Sequence, residues 1–337
     1  MSEQSGAPPG VPSSVGRYRV NALLASDTID DVYQGFDPLL ERPVVVKLFR
    51  IGDLDQASQR AVTDLFYNVM RQTGALVDPG VMTVYDVGEI PGSLFVANEF
   101  VEGESLHALI AAGGEIDLER KVSILSQLAD ALDGAAALGV PHLNVKPSSV
   151  LLGNDHSVKI GGFGVAPVTD AIARAARMPR QDISRYSSPE RAAGEDGDTR
   201  SDVFSLAEVA VDLLAPNTAR EAAVGAIPPL PLDLNRQGIR VDRWAAFFAR
   251  ALAPNPADRF SSPAAFKSDL LQVLGVDEFQ ARIAWDALGP SSLKSLAVDS
   301  EAETIMSDGD APRARAQDDT STKDDEDDDP PTTFHKV

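Results

Sequence analysis

The chain has 337 residues, with 51 Asp plus Glu against 30 Lys plus Arg, a formal charge of −21 and no cysteine. These values exclude a disulfide framework, a thiolate metal site and a cysteine nucleophile. They also argue against nucleic-acid binding, which needs a basic face to displace phosphate counterions. No apolar run is long enough to span a bilayer, and the first fifteen residues lack the basic start and apolar stretch of a secretory signal, so the expected location is cytoplasmic.

Residues 1–15 are rich in Gly, Pro and Ser and are expected to lie outside the folded part. Three strand candidates follow, at Tyr18–Leu24, Asp31–Phe36 and Pro43–Phe49, each bounded by polar turns. Residues 56–76 carry Ala61, Leu65, Phe66, Val69, Met70 and Leu76 at helical spacing. Further strands are expected around Met82–Val87 and Ser93–Phe100. In 121–138, Ile124, Leu125, Leu128, Ala131, Leu132 and Ala136 predict an amphipathic helix. Asp202–Leu214 is apolar on nearly every side, as expected of a buried helix at the centre of a domain. Helices at 242–253 and 263–274 complete the folded part. Phe279, Ile283 and Trp285 suggest a short amphipathic extension over 276–298.

From Asp299 to Val337 there are 13 Asp plus Glu against 4 Lys plus Arg, a net of −9, which leaves −12 for residues 1–298. A segment so charged and so poor in large apolar residues cannot offset its ordering entropy, so a disordered acidic tail is expected. The pattern as a whole predicts an α+β chain, with a β-rich lobe over 16–101 followed by a helical lobe over 102–275.

Seven segments carry a more specific signal. They are VYQGFDPLLERPVVVKLF (32–49), VYDVGE (84–89), HLNVKPSSVLL (142–152), VKIGGFGVA (158–166), YSSPERAAGE (186–195), RSDVFSL (200–206) and NPADRF (255–260). In this order, across about 17–275, the chain resembles the bacterial Ser/Thr protein kinases of eukaryotic-like type. The resemblance implies a bilobal protein-kinase-like fold and places each functional position.

Several of those positions hold unexpected residues. The three glycines that let backbone approach the nucleotide phosphates fall on Ala25, Asp27 and Asp30, ahead of Val32. Lys47 matches the strand lysine that contacts the phosphates, but the helix glutamate that partners it falls on Val69. Lys47 is therefore expected to pair with Asp27 or Asp30. Val45 stands where the family has a small residue beside the adenine. The aspartate that accepts the substrate hydroxyl proton is Asn144, and an amide cannot serve as that base. The metal-binding asparagine is Ser149 and the metal-binding aspartate is Gly162, while Lys146 is retained. His142 and Phe163 are expected to pack, Glu190 and Arg259 to pair, and Asp202 to fasten the catalytic-loop backbone.

The resemblance thus implies a kinase-like scaffold that is not an enzyme, takes neither ATP nor Mg²⁺ as cofactor, and acts by binding other proteins. Two alternatives stand beside it. One is an atypical Ser/Thr kinase or nucleotide-dependent transferase retaining Lys47 and Lys146, with Asp155 or Asp170 as candidate metal ligands. The other is a metal-independent ATP sensor. Arg174, Arg177, Arg180 and Arg185, in the segment matching the kinase activation segment, could dock an acidic or phosphorylated partner. Thr304, Thr322, Thr332 and Thr333 in the tail are candidate phosphosites. The implied partners are an active Ser/Thr kinase and a phosphothreonine-reading forkhead-associated domain protein.

Overall fold

The computed structural model describes residues 11–180, 183–216 and 224–276. Contacts divide the chain into Met1–Ser292 and Leu293–Val337, and every described residue lies in the first unit. The amphipathic extension from residue 277 onward and the tail threonines lie outside the described residues.

The amino-terminal lobe is a six-stranded antiparallel sheet in the order β1-β2-β3-β4-β6-β5. Its strands are β1 (Ser14–Val15), β2 (Tyr18–Ser26), β3 (Asp30–Asp37), β4 (Arg42–Arg50), β5 (Val84–Ile90) and β6 (Ser93–Glu99). Residues 14 and 15, expected outside the folded part, pair with Tyr18 and Arg19, and Val15 is fully buried. The β3 and β4 strands alternate as a half-buried strand should: Val44, Val46 and Leu48 face one packed layer, while Val45 and Lys47 face the other side. The β3–β4 register sets Val32 opposite Lys47 and Asp30 opposite Phe49.

Helix α1 (Gln56–Thr73) starts where the Asp55 carboxylate accepts from the backbone N–H groups of Ala57 and Ser58. Its buried residues Val62, Phe66, Met70 and Thr73 recur at three- and four-residue steps and form a single stripe. Phe66 is fully buried and meets Phe49 of β4 edge-to-face at 5.9 Å. Burial of such a ring contributes about 1.5–3 kcal/mol.

The carboxy-terminal lobe is built on helices α2 (Leu106–Ala112), α3 (Leu118–Ala137), α4 (Val165–Ala175), α5 (Pro189–Ala192) and α6 (Thr199–Leu214), with helices at Val241–Ala251 and Pro263–Leu274. A small sheet, β7 (Gly103–Ser105), β8 (Val150–Gly153) and β9 (Val158–Ile160), lies at the start of this lobe. From Ser201 to Leu214 every residue of α6 is buried, as its all-round apolar character predicts. Its first turn is closed by Asp198 and Ser201, each side chain bonding the other's backbone end. Helices α3 and Pro263–Leu274 pack around it in one large core with Trp244, Phe248 and Phe266. The chain is therefore bilobal and α+β, with a sheet lobe and a helical lobe. Among the described residues, no helix is long and apolar enough to cross a membrane.

Candidate active site

A cleft of about 670 Å³ runs between the lobes. Leu24, Val32 and Val45 line it from the sheet, and Met82 and Leu151 add apolar surface. Lys47, Lys146, Asn98, Asn144 and Ser149 supply polar groups. The cleft combines an apolar wall with the two cations Lys47 and Lys146, a composition typical of small-molecule sites.

The loop above it is tightly pinned. Asp27 N–H donates to Asp30 O at 2.8 Å, closing the β2–β3 turn. Ser26 Oγ donates to Asp31 at 2.6 Å, and the Arg50 guanidinium bonds both the Asp31 carboxylate and the Asp27 carbonyl oxygen. Burial raises the Asp31 carboxyl, but the bonds from Arg50 and Ser26 outweigh it and hold its pKa below the usual carboxylate range. Lys47 Nζ lies 2.5 Å from Asp30 Oδ1, with both side chains mostly buried. Asp30 rather than Asp27 is thus the carboxylate on Lys47, while Asp27 stays exposed and bonds the Thr28 N–H.

On the opposite wall a chain of bonds fixes the loop 142–149. Leu143 has φ +64°, a costly backbone for a branched residue. It persists because Asp202 accepts from His142 N–H at 2.7 Å and from Leu143 N–H at 2.6 Å. His142 Nδ1 accepts from Asn144 N–H at 3.2 Å, so its proton sits on Nε2, which donates to Gly161 O at 2.9 Å. Burial pushes the imidazole down to about 4, against the Gly161 bond. Phe163 meets the ring edge-to-face at 4.7 Å. His142 is therefore a neutral strut that places Asn144.

Ser149 is turned inward: its Oγ donates to Lys146 O at 2.7 Å and accepts from Lys146 N–H at 3.2 Å. Gly162 has φ +99°. A Cβ there would meet only the His142 ring, no closer than 3.6 Å, so backbone conformation, not crowding, favours glycine. Val69 joins the cluster made by α1, α4 and the sheet. The candidate ligands Asp155 and Asp170 do not line the cleft. Asp155 bonds Ser157 in the β8–β9 turn, and Asp170 pairs with Arg180 and Arg191.

The arginine cluster divides. Arg180 is held by Asp170, and Arg185 by Glu208 at 2.9 Å and Asp212 at 3.5 Å, so these two face inward. Arg174 and Arg177 are exposed. Contributors that the sequence does not single out include Asn98, Met82, Leu24, Leu151, Arg50 and Asp31. Arg50 stands three residues beyond Lys47 and so points to the other face of the strand. Only the register, with Asp31 opposite Leu48, shows that it reaches the β2–β3 turn.

Below the cleft, Arg259 Nη1 and Nη2 donate to Glu190 at 2.8 and 2.7 Å. The remaining Arg259 bonds go to the carbonyl oxygens of Ala253, Arg200 and Pro254. Burial would raise Glu190, but Arg259 and Ser201 hold it at about 2. Asp202 is instead pushed up to about 7 by burial, against its two backbone bonds.

These groups make a pH prediction. His142, lowered from 6.5 to about 4, stabilises the fold above 6.5 and loses that contribution as pH falls to 4. Asp202, raised from 3.8 to about 7, takes up its proton first in the folded chain and gains stability over nearly the same range. The two oppose. Glu190, lowered from 4.5 to about 2, contributes stability above 4.5 that is lost as pH falls through that window. The melting temperature should be nearly level from pH 7 to 4.5 and fall steeply below. A steep fall already between pH 6.5 and 5 in a circular-dichroism series would contradict this assignment.

Comparison with known proteins agrees with this geometry. The protein kinase domain family model matches residues 19–225, a span that contains Lys47, Asn144 and Gly162. The chain is 28% identical to serine/threonine-protein kinase PknB of Mycobacterium leprae, over 76% of this chain and 43% of that protein. It is 31% identical to PknD of Mycobacterium tuberculosis, over 77% of this chain and 40% of that protein. It is 30% identical to PknL of Mycobacterium bovis, over 78% of this chain and 68% of that protein. The chain thus spans about two fifths of the length of PknB and PknD.

Two expectations are corrected by these relatives. The substitutions at Asn144, Ser149, Gly162 and Val69 implied a chain that is not an enzyme and takes no cofactor. Relatives named serine/threonine-protein kinases point instead to an enzyme, and to ATP with Mg²⁺ as what such enzymes use. Missing carboxylates do not by themselves remove activity, because phosphoryl transfer rests chiefly on positioning and charge neutralisation. The residues fit the nucleotide: the apolar slot and the cations Lys47 and Lys146 face one cleft. They do not supply magnesium with the family's own ligands, because Gly162 has no side chain and Ser149 bonds its own turn. By its fold, its motifs and the matched span, this chain belongs to the protein kinase family, among the bacterial serine/threonine kinases of eukaryotic-like type.

Proposed function

We propose that the chain is an atypical ATP-dependent Ser/Thr protein kinase, in which positioning and charge carry the reaction with little help from a base. The observation that supports this most is the placement of Lys47 and Lys146 on the two walls of one open cleft. The apolar slot of Leu24, Val32, Val45 and Leu151 would take the adenine. Lys47 and Lys146 would neutralise phosphate oxygens. Magnesium would enter on the triphosphate, as part of the substrate.

Asn144 lies where the acceptor hydroxyl must come. Its amide oxygen can accept that O–H and orient it, but cannot keep the proton. The acceptor Oγ–phosphorus bond then forms as the bond from the γ-phosphorus to the bridging oxygen breaks. The proton passes to a transferred phosphoryl oxygen or to water. Loss of a general base costs about 10²–10⁴ in rate, so slow turnover is expected. Acceptors would be protein Ser or Thr hydroxyls, with Thr304, Thr322, Thr332 and Thr333 of the chain itself the first positions to map.

The test is radiolabel transfer from γ-labelled ATP with Mg²⁺ or Mn²⁺, beside thermal shift. ATP at a hundred times its dissociation constant should add about 2.7 kcal/mol of stability. Lys47→Met should remove most of that shift and all transfer. Equal label incorporation by the parent and Lys47→Met chains would overturn the reading.

A further inference from the structure

The helical lobe leaves an apolar surface partly open where the described chain ends. Helix Pro263–Leu274 runs antiparallel to α3: Ala264 N–H donates to Asp133 Oδ1 at 3.0 Å, and Lys267 Nζ donates to Asp130 Oδ1 at 2.7 Å. Three residues forward on one helix match three residues back on the other, so Leu274 comes level with the first turns of α3. There Val273 and Val276 are half-buried against the large core, as are Ile116 and Leu118 at the start of α3. The short helix Leu232–Arg236 flanks this end, since Asp233 lies close enough to act electrostatically on Lys121 of α3. Its Leu232 is 74% exposed.

The exit of the chain from this helix is directed. Gly275, at φ +67°, donates its N–H to Gln272 O, and the Val276 N–H donates to Leu271 O at 3.1 Å. This pair of bonds turns the chain and seats Val276 against the core, where a straight continuation would run on into water. The sequence then supplies Phe279, Ile283, Trp285 and Leu288 within the twelve residues 277–288. At about 3.3 Å per residue, Phe279 stays within about 10 Å of Val276 and Trp285 within about 30 Å. That reach covers this end of the lobe. Asp277 and Glu278, at the start of the segment, are opposite in sign to Arg120 and Lys121 at the start of α3.

We propose that residues 277–288 form a clasp that docks here, with Phe279 and Ile283 covering Leu118, Val273 and Val276. An apolar surface is filled by the apolar segment at the highest effective concentration, and a segment tethered one residue away has that advantage over any separate molecule. The clasp completes the helical lobe. It takes no part in phosphoryl transfer and stands whether or not the chain is a kinase.

The two tryptophans of the sequence, Trp244 and Trp285, allow a direct test on the full chain. Trp244 is buried and its Nε1 donates to Pro228 O at 2.8 Å, so it reports on the core. The Trp285 signal is the difference between the parent and Trp285→Phe chains. Acrylamide should quench a docked Trp285 about fivefold less than N-acetyltryptophanamide. Leu118→Glu, at a half-buried position, should raise quenching of Trp285 to that of the free amide and leave Trp244 unchanged. Phe279→Asp should do the same, and it serves alone if Leu118→Glu does not fold. A Trp285 in the parent chain that quenches like the free amide would overturn the clasp. Protection that persists in folded Leu118→Glu and in Phe279→Asp would overturn this seat for it. Protection that disappears when the protein is diluted about a hundredfold would show a second copy on the surface and overturn the intramolecular docking.

Discussion

Replacing Arg259 by alanine should destabilise the folded chain by about 3–5 kcal/mol, the usual cost of stranding one half of a buried ion pair. The size follows from how fully Arg259 is used. Its side chain is completely buried, and it donates five bonds to Glu190, Ala253, Arg200 and Pro254. Its guanidinium also lies 5.0 Å from the Phe204 ring centroid. Alanine at 259 leaves a carboxylate and three carbonyl oxygens without those donors. Since domains are stable by about 5–15 kcal/mol, much of the margin would go. Urea unfolding at pH 7 measures it. Glu190→Gln together with Arg259→Ala should cost less than the two single losses added, because the stranded charge is then gone. A single-variant loss under 1 kcal/mol would show that the pair does not brace this lobe.

Asp30→Gly should change stability and ligand affinity in opposite directions. Asp30 sits on Lys47 at 2.5 Å, so incoming phosphates must displace a carboxylate from the cation that would receive them. A like-charge contact at about 4 Å costs roughly 1–4 kcal/mol across the dielectric range near a surface. Removal of Asp30 should therefore tighten ATP by about fivefold to several hundredfold. The same change leaves Lys47 without its partner and should lower the melting temperature of the free chain by a few degrees. Calorimetric titration with ATP beside a thermal scan tests both. Asp27→Gly is the control: Asp27 is exposed and its carboxylate bonds the neighbouring Thr28 N–H rather than Lys47, so its effect on affinity should be smaller. Unchanged affinity in Asp30→Gly would mean that the Lys47 pair does not gate phosphate entry.

The strands of the first lobe and the long helices of the second could be read from periodicity because their burial is regular. Val44, Val46 and Leu48 alternate, and Val62, Phe66 and Met70 repeat at helical spacing. Helix α4 was harder to read. Its apolar residues meet a partner surface on α1 that lies about a hundred residues earlier in the chain, which local pattern does not show. Likewise, the sequence offered Asp27 and Asp30 equally as partners of Lys47. The β3–β4 register decided between them.

The sequence by itself determined the bilobal plan, the order of the kinase motifs and the residue types at each functional position, since these follow from local patterning and spacing. It could not weigh what the changed residues do. Tertiary structure decided that Val69 packs against the start of α4, that Arg180 and Arg185 turn inward, and that Ser149 bonds its own turn. Each of these is a choice among partners distant in the chain. Short-range pattern carries no information about such choices, because burial and charge pairing are settled only when the elements meet.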